Sequence, residues 1–144
     1  MLKVLAMVRS IVLAAFALLL AAPIASADVL ARISLAQQVM TVYVDGEAAY
    51  SWPVSTARKG YVTPRGSYQA QWLDPMHYSS IYESSPMPHS VFFSGGYAIH
   101  GTYETRYLGH PASHGCVRLS PGNAAKFYAL VEDQGVEATH IVIR

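Results

Sequence analysis

The 144-residue sequence has one cysteine, few charges and no block of like charge. A single Cys excludes an internal disulfide framework, so the fold must be held by its apolar core. Charged residues make up 13%, with 10 Lys+Arg against 9 Asp+Glu. No basic stripe is present, which argues against a nucleic-acid partner. Repeats, low-complexity linkers and any shift in composition that would mark a second domain are also missing. Long apolar runs are absent except at the start. There, Lys3 and Arg9 precede "IVLAAFALLLAA" (11–22) and "PIASA" (23–27), with Ala25 and Ala27 in A-x-A spacing. This order predicts a secretory signal peptide over 1–27, cleaved near Ala27. The rival reading is a membrane anchor, but the run is short of the roughly 20 residues a span needs. No Cys follows the cleavage site, which argues against a lipid anchor. Cleavage leaves 117 residues, 8 Lys+Arg and 9 Asp+Glu, a net charge of −1. The expected location is outside the inner membrane, in a periplasm.

What remains reads as mainly β with one helix, a single domain over 28–144. Val39–Val44 alternates and is rich in β-branched residues. Asp45-Gly46 follows and predicts a hairpin. Gln37-Gln38, Gly60 and Pro64-Arg65-Gly66 mark further turns. "SVFF", "YAIH", "CVRL" and "THIVIR" read as short strands. Residues 74–89 carry three prolines and read as a long loop, a common place for function. The helix is expected over 120–135: Ser120 as N-cap, Pro121 in the first turn, Gly135 past the end. Trp52 and Trp72 are expected in the core.

The lone Cys116 lies in "PASHGCVRLS" (111–120). Three readings compete: a buried small hydrophobe, an intermolecular disulfide, or a reactive thiol. Strand alternation would put His114, Cys116 and Arg118 on one face, with Val117 and Leu119 on the other. That favours the reactive thiol. A Cys nucleophile needs a base or a nearby cation to form its thiolate. His114 stands two residues away. His100, in "YAIH", could face Cys116 from a neighbouring strand and serve as general base. Backbone N–H groups around Gly115 and Cys116 could form an oxyanion site. Arg118 could bind a carboxylate. His77, His89, His110 and His140 read as ordinary loop or surface histidines. A zinc site from His100, His110, His114 and Cys116 is conceivable, although H-x-C on a strand is not a usual finger or ribbon spacing.

"AIHGTYETRYLGHPASHGCVRLS" resembles the active-site signature of the L,D-transpeptidase catalytic domain, or YkuD domain: a His, a variable loop, then Ser/Thr-His-Gly-Cys and a hydrophobic residue. His100, Ser113, His114, Gly115, Cys116 and Val117 fill those places. The loop from His100 to Ser113 is short for the family, and Arg118 stands where some members have Asn. "WPVSTARKGYVTPRGSY" is similar to the family's Thr-Pro-x-Gly region, and "SSPMPHSVFFSGGYAIHGT" to the segment leading to the His.

The resemblance implies a β-sandwich-like catalytic domain acting on peptidoglycan stem peptides. Cys116 would attack the carbonyl of the third stem residue, commonly diaminopimelate, and release D-alanine. An amine would then take the acyl group, from another stem, an envelope protein or a free amino acid. His100 would be the general acid and base, with the Gly101 carbonyl orienting its ring. His114 would support the oxyanion or substrate, and Ser113 and Arg118 would contact substrate. Tyr78 and Tyr82 would belong to a lid over the site. No metal or organic cofactor is implied. Two rivals remain: an L,D-carboxypeptidase or wall-peptide hydrolase using the same Cys, and a non-catalytic wall-binding module. A papain-like order is disfavoured, because only His140 follows Cys116.

Overall fold

A computed structural model describes residues 28–144. The expected signal peptide, 1–27, lies outside the described residues. Nine strands and one long helix follow in the order β1 (Val29–Ser34), β2 (Val39–Val44), β3 (Glu47–Pro53), β4 (Gly66–Gln69), β5 (Trp72–Tyr78), β6 (Pro86–Ser94), β7 (Tyr97–Gly101), β8 (Val117–Leu119), α1 (Pro121–Gln134) and β9 (Thr139–Ile143). They form a five-stranded sheet, β3-β2-β1-β9-β4, and a four-stranded sheet, β5-β6-β7-β8. Both are mixed: β1 runs parallel to β9, and β7 runs parallel to β8. The mainly β, two-sheet architecture with one helix agrees with the sequence reading.

Local chemistry explains the turns. Asp45 and Gly46 both take positive φ, 50° and 81°, between β2 and β3. That is the backbone a tight hairpin requires. The Ser120 hydroxyl accepts the Asn123 N–H at 3.3 Å, Pro121 opens α1, and Gly135 closes it with φ 96°.

The second sheet has two chemically different faces. Leu73, Val91, Ile99 and Val117 stand in register across β5 to β8. The last three are fully or almost fully buried against Ile33, Val42, Ile141 and α1's Phe127 and Val131. Burying each such side chain contributes about 1.5–3 kcal/mol. The adjacent row, Trp72–Phe92–Ala98, faces the other way. Cys116 packs against Phe92, Ala98 and Met87 on that face. One face therefore holds the fold and the other is available for chemistry.

Two expectations need correction. Residues 74–89 are not one loop: β5 runs on to Tyr78 and β6 begins at Pro86. β5 is an edge strand, and β6 pairs with β7 only from Val91 onward. Prolines are tolerated on such unpaired edges. Trp72 is not core. It is 43% exposed and stacks on Phe92 with ring centroids 3.7 Å apart.

Candidate active site

Parallel strands cannot be joined by a tight turn, so residues 102–116 cross from the end of β7 to the start of β8. The segment after β3 holds this crossover in place. Gly109 N–H donates to Val54 O (2.8 Å), and the Ala112 and Ser113 N–H groups both donate to Thr56 O (2.9 Å each). Arg58 N–H donates to Ser113 O (2.9 Å), while Ser55 and Arg118 exchange backbone hydrogen bonds of 3.0 and 2.9 Å.

Cys116 ends the crossover one residue before β8, in a bend rather than an extended strand. The Ser113 hydroxyl shapes this bend, donating to Cys116 O (2.7 Å) and accepting the Gly115 N–H (3.0 Å). The Thr63 hydroxyl donates to Gly115 O (2.8 Å) and accepts the Ala57 N–H (3.0 Å). Gly115 has φ 141°, and a Cβ there would lie 2.6 Å from Tyr97 Cε1 and 2.9 Å from Val62 O. Only glycine fits. The N–H expected to be free at Gly115 is therefore taken by Ser113, and the Ser113 hydroxyl, expected at substrate, is used within the loop. The sequence reading assigns Thr63 no role in the site; its Thr-Pro-x-Gly context is the only signal that points to it.

His100 pairs in register with Arg118 across β7 and β8. The Ala98 N–H donates to Cys116 Sγ at 3.4 Å, so Cys116 lies beside Ala98 and diagonal to His100 rather than directly opposite it. His100 is buried, and its Nδ1 is 2.7 Å from Gly101 O. A carbonyl can only accept, so Nδ1 carries the proton and Nε2 holds the lone pair.

The electrostatics keep this pair neutral at rest. Burial, opposed by the Gly101 hydrogen bond and aided by Arg118, pushes the His100 pKa down to about 4. Burial also pushes the Cys116 thiol up, opposed by the Ala98 N–H and the Arg118 charge. Low dielectric disfavours the charged form of each group.

His100, His114, Cys116 and Arg118 all line one cavity of about 600 Å³. The His114 ring lies flat on Tyr82 (3.9 Å, 9°) and meets the edge of Tyr61 at 4.7 Å. Burial, then the charges of Arg58 and Arg118, lower its pKa. Arg118 Nη1 is 3.6 Å from Glu104 Oε2, and Glu104 also lines the cavity. Tyr82, on the short 79–85 connection, lines the cavity, whereas Tyr78 ends β5, 56% exposed, and is not part of the lining. His77 does line the cavity, contrary to its reading as an ordinary surface histidine. Among the described residues, no three His, Cys, Asp or Glu side chains converge as metal ligands would.

The sequence and fold match known proteins along almost the whole described chain. The L,D-transpeptidase catalytic domain family, YkuD, matches residues 28–143. No curated protein matches the chain significantly. Among solved structures, an L,D-transpeptidase from Mycobacterium smegmatis is 29% identical with TM-score 0.72, covering 82% of this chain and 59% of that one. One from Xylanimonas cellulosilytica is 28% identical with TM-score 0.70, covering 85% and 63%. L,D-transpeptidase 3 from Mycobacterium tuberculosis, solved with a faropenem-derived adduct, shares the fold at 21% identity and TM-score 0.69, covering 82% and 60%. The chain thus spans about three-fifths of the length of these relatives. The match over 28–143 places this chain in the L,D-transpeptidase catalytic domain family.

Proposed function

We propose that this protein is a cysteine-dependent peptidoglycan L,D-transpeptidase, exported and freed from its signal peptide near Ala27 to work in the periplasm. The observation that carries the mechanism is the His100 Nδ1–Gly101 O hydrogen bond. It leaves Nε2 as the basic nitrogen in the cavity that also holds Cys116.

The Cys116 thiol passes its proton to His100 Nε2 as the sulfur attacks the carbonyl of the third stem residue. Burial disfavours the ion pair at rest, so little free thiolate accumulates before substrate binds. The Cys116 N–H and His114 support the oxyanion, since the Gly115 N–H is committed to Ser113. Collapse breaks the peptide bond, and His100 returns its proton to the departing D-alanine amine, leaving a thioester. An acceptor amine then attacks the thioester carbon. It gives its proton through His100 to the sulfur, and the thiol is restored. The Arg118 guanidinium, 17% exposed at the cavity wall, is suited to a substrate carboxylate.

Mass spectrometry after incubation with a carbapenem tests the nucleophile. A covalent adduct is expected on Cys116 and none on Cys116→Ala. Tetrapeptide donors offered with stem, protein-lysine or free amino-acid acceptors then distinguish the transfer products. Hydrolysis alone would turn the assignment to a carboxypeptidase. No adduct, with wall binding intact in Cys116→Ala, would leave a binding module. N-terminal sequencing of the exported protein checks cleavage.

A further inference from the structure

Trp72 has no part in the chemistry above and lies outside the cavity lining, yet its ring is held in one orientation. One face lies on Phe92, with centroids 3.7 Å apart and planes 3° from parallel, and the His77 ring meets it edge-on at 5.9 Å. β5 is the edge strand, so the opposite face of Trp72 looks off the sheet, where no further strand covers it. Asp74 follows two residues on and shares this side of the sheet. Its Oδ2 lies 3.0 Å from His77 Nδ1 and its Oδ1 accepts the Met76 N–H at 3.0 Å. Each oxygen keeps a lone pair for a further donor.

An open, flat aromatic face beside a fixed acceptor suits a sugar ring. The C–H groups on one face of a pyranose meet the electron-rich indole, and the hydroxyl and amide groups at its rim donate to the carboxylate. The place is equally specific. Trp72, Phe92 and Ala98 stand in register across β5, β6 and β7, and the Ala98 N–H donates to Cys116 Sγ at 3.4 Å. A single row therefore runs from the nucleophile to the sheet edge, two to three strand spacings or about 10–14 Å long. Phe92 lines the cavity, so the row is its floor. A stem peptide acylated at its third residue leads back through two more residues to the glycan. Three extended residues reach about 10 Å, and the short acid that joins stem to sugar carries the chain the rest of the way.

We propose that Trp72 and Asp74 form a subsite for the sugar ring that bears the donor stem. The proposal rests on the stem-peptide reading above and extends it past the cavity. Cys116 and His100 act on the third residue, and the edge of the sheet holds the glycan end of the same donor.

The test uses the mature protein, one acceptor amine and two donors with the same tetrapeptide. One is N-acylated by lactate alone and the other by N-acetylmuramic acid, so that only the sugar differs. The wild type is expected to prefer the sugar-bearing donor in kcat/KM by about fivefold or more, the usual worth of a well-stacked ring. Trp72→Leu keeps an apolar cover over Phe92 but has no flat face, and should bring the two donors to within about twofold. Trp72→Tyr should retain most of the preference, and Asp74→Ala only part of it. Acylation of Cys116 by faropenem, which carries no sugar, should be unchanged in all three variants and reports that each is folded. A wild type that uses both donors equally overturns the subsite and leaves Trp72 as a cover for Phe92, as does a preference that survives in Trp72→Leu. A wild type that faropenem acylates but that turns over neither donor overturns the stem-peptide reading itself, and the subsite with it.

Discussion

His100 Nδ1 and the carbonyl oxygen of the next residue, Gly101, lie 2.7 Å apart. Donor and acceptor are neighbouring residues of one strand, β7. Their hydrogen bond fixes the tautomer and the aim of the ring together. His100→Gln keeps a polar side chain but has no basic nitrogen. The rate of Cys116 acylation is expected to fall about 10²–10⁴-fold, the usual worth of a positioned general base. Stopped-flow or mass-spectrometric acylation rates at fixed pH read it directly. A loss below about threefold would remove His100 from the chemistry.

The same burial makes stability depend on pH. His100 has its pKa lowered to about 4 from an ordinary 6.5. Between those values the unfolded chain binds a proton that the folded chain refuses. Stability therefore falls as pH drops from 6.5 to 4 and levels off below, by about 3 kcal/mol in all from this residue. Cys116 acts at the other end. Its raised pKa costs stability as pH climbs past the ordinary thiol value of 9.0, because the unfolded thiol ionises first. Denaturant melts of wild type and His100→Gln across pH 4–8 check the acid limb. The variant should lose about 3 kcal/mol of its acid sensitivity.

Much of this was legible beforehand, for reasons that can be named. Asp45-Gly46, Ser120-Pro121 and Gly135 act through local backbone chemistry, which sequence displays directly. Alternation predicts Cys116, His114 and Arg118 on one side; all three line the cavity, but residues 114–116 form a bend rather than a strand, so the Ser113 and Thr63 hydrogen bonds, not alternation, set their placement. The ends of β5 and β6 are hard to read because Pro75, Pro86 and Pro88 look like loop residues, whereas β5 is an edge strand and β6 meets β7 only from Val91 onward. His77 and Thr63 were missed because their importance comes from partners distant in sequence. Thr63 bonds Gly115, 52 positions away, and His77 reaches the cavity only because β5 pairs with β6. The Asp74-x-x-His77 spacing was the one local hint.

Thr63 offers a test of how much the crossover's support matters. Its hydroxyl is buried and serves both Gly115 O and the Ala57 N–H. Thr63→Val keeps the shape and leaves both backbone groups without a partner. A loss of about 1–3 kcal/mol in unfolding free energy is expected. Acylation should slow by about tenfold or more, because sub-ångström shifts of a nucleophile are costly. Thr63→Ser, which retains the hydroxyl, should recover most of both. Recovery of stability without recovery of rate would show that the methyl, and not the hydrogen bonds, positions the loop.

Gly115 separates conformation from chemistry most sharply. A side chain there faces a backbone φ of 141°, an aromatic edge at 2.6 Å and a carbonyl oxygen at 2.9 Å. The carbonyl belongs to Val62, next to Thr63, so it cannot withdraw without disturbing the anchor of the same loop. The strained backbone alone costs about 1–3 kcal/mol, and relieving the contacts must move either Tyr97 or the Cys116 bend. Gly115→Ala is therefore expected to lower unfolding free energy by about 2 kcal/mol or more and to slow Cys116 acylation. Gly122→Ala is the matched control. It lies in the first turn of α1 with nothing within 4 Å of the new Cβ, and should be neutral or stabilising by up to about 1 kcal/mol. Thermal melts and faropenem acylation rates of the two variants, measured together, decide the matter. Equal behaviour of the two alanines would mean that the Cys116 bend is free to rearrange, and that its geometry does not limit the reaction.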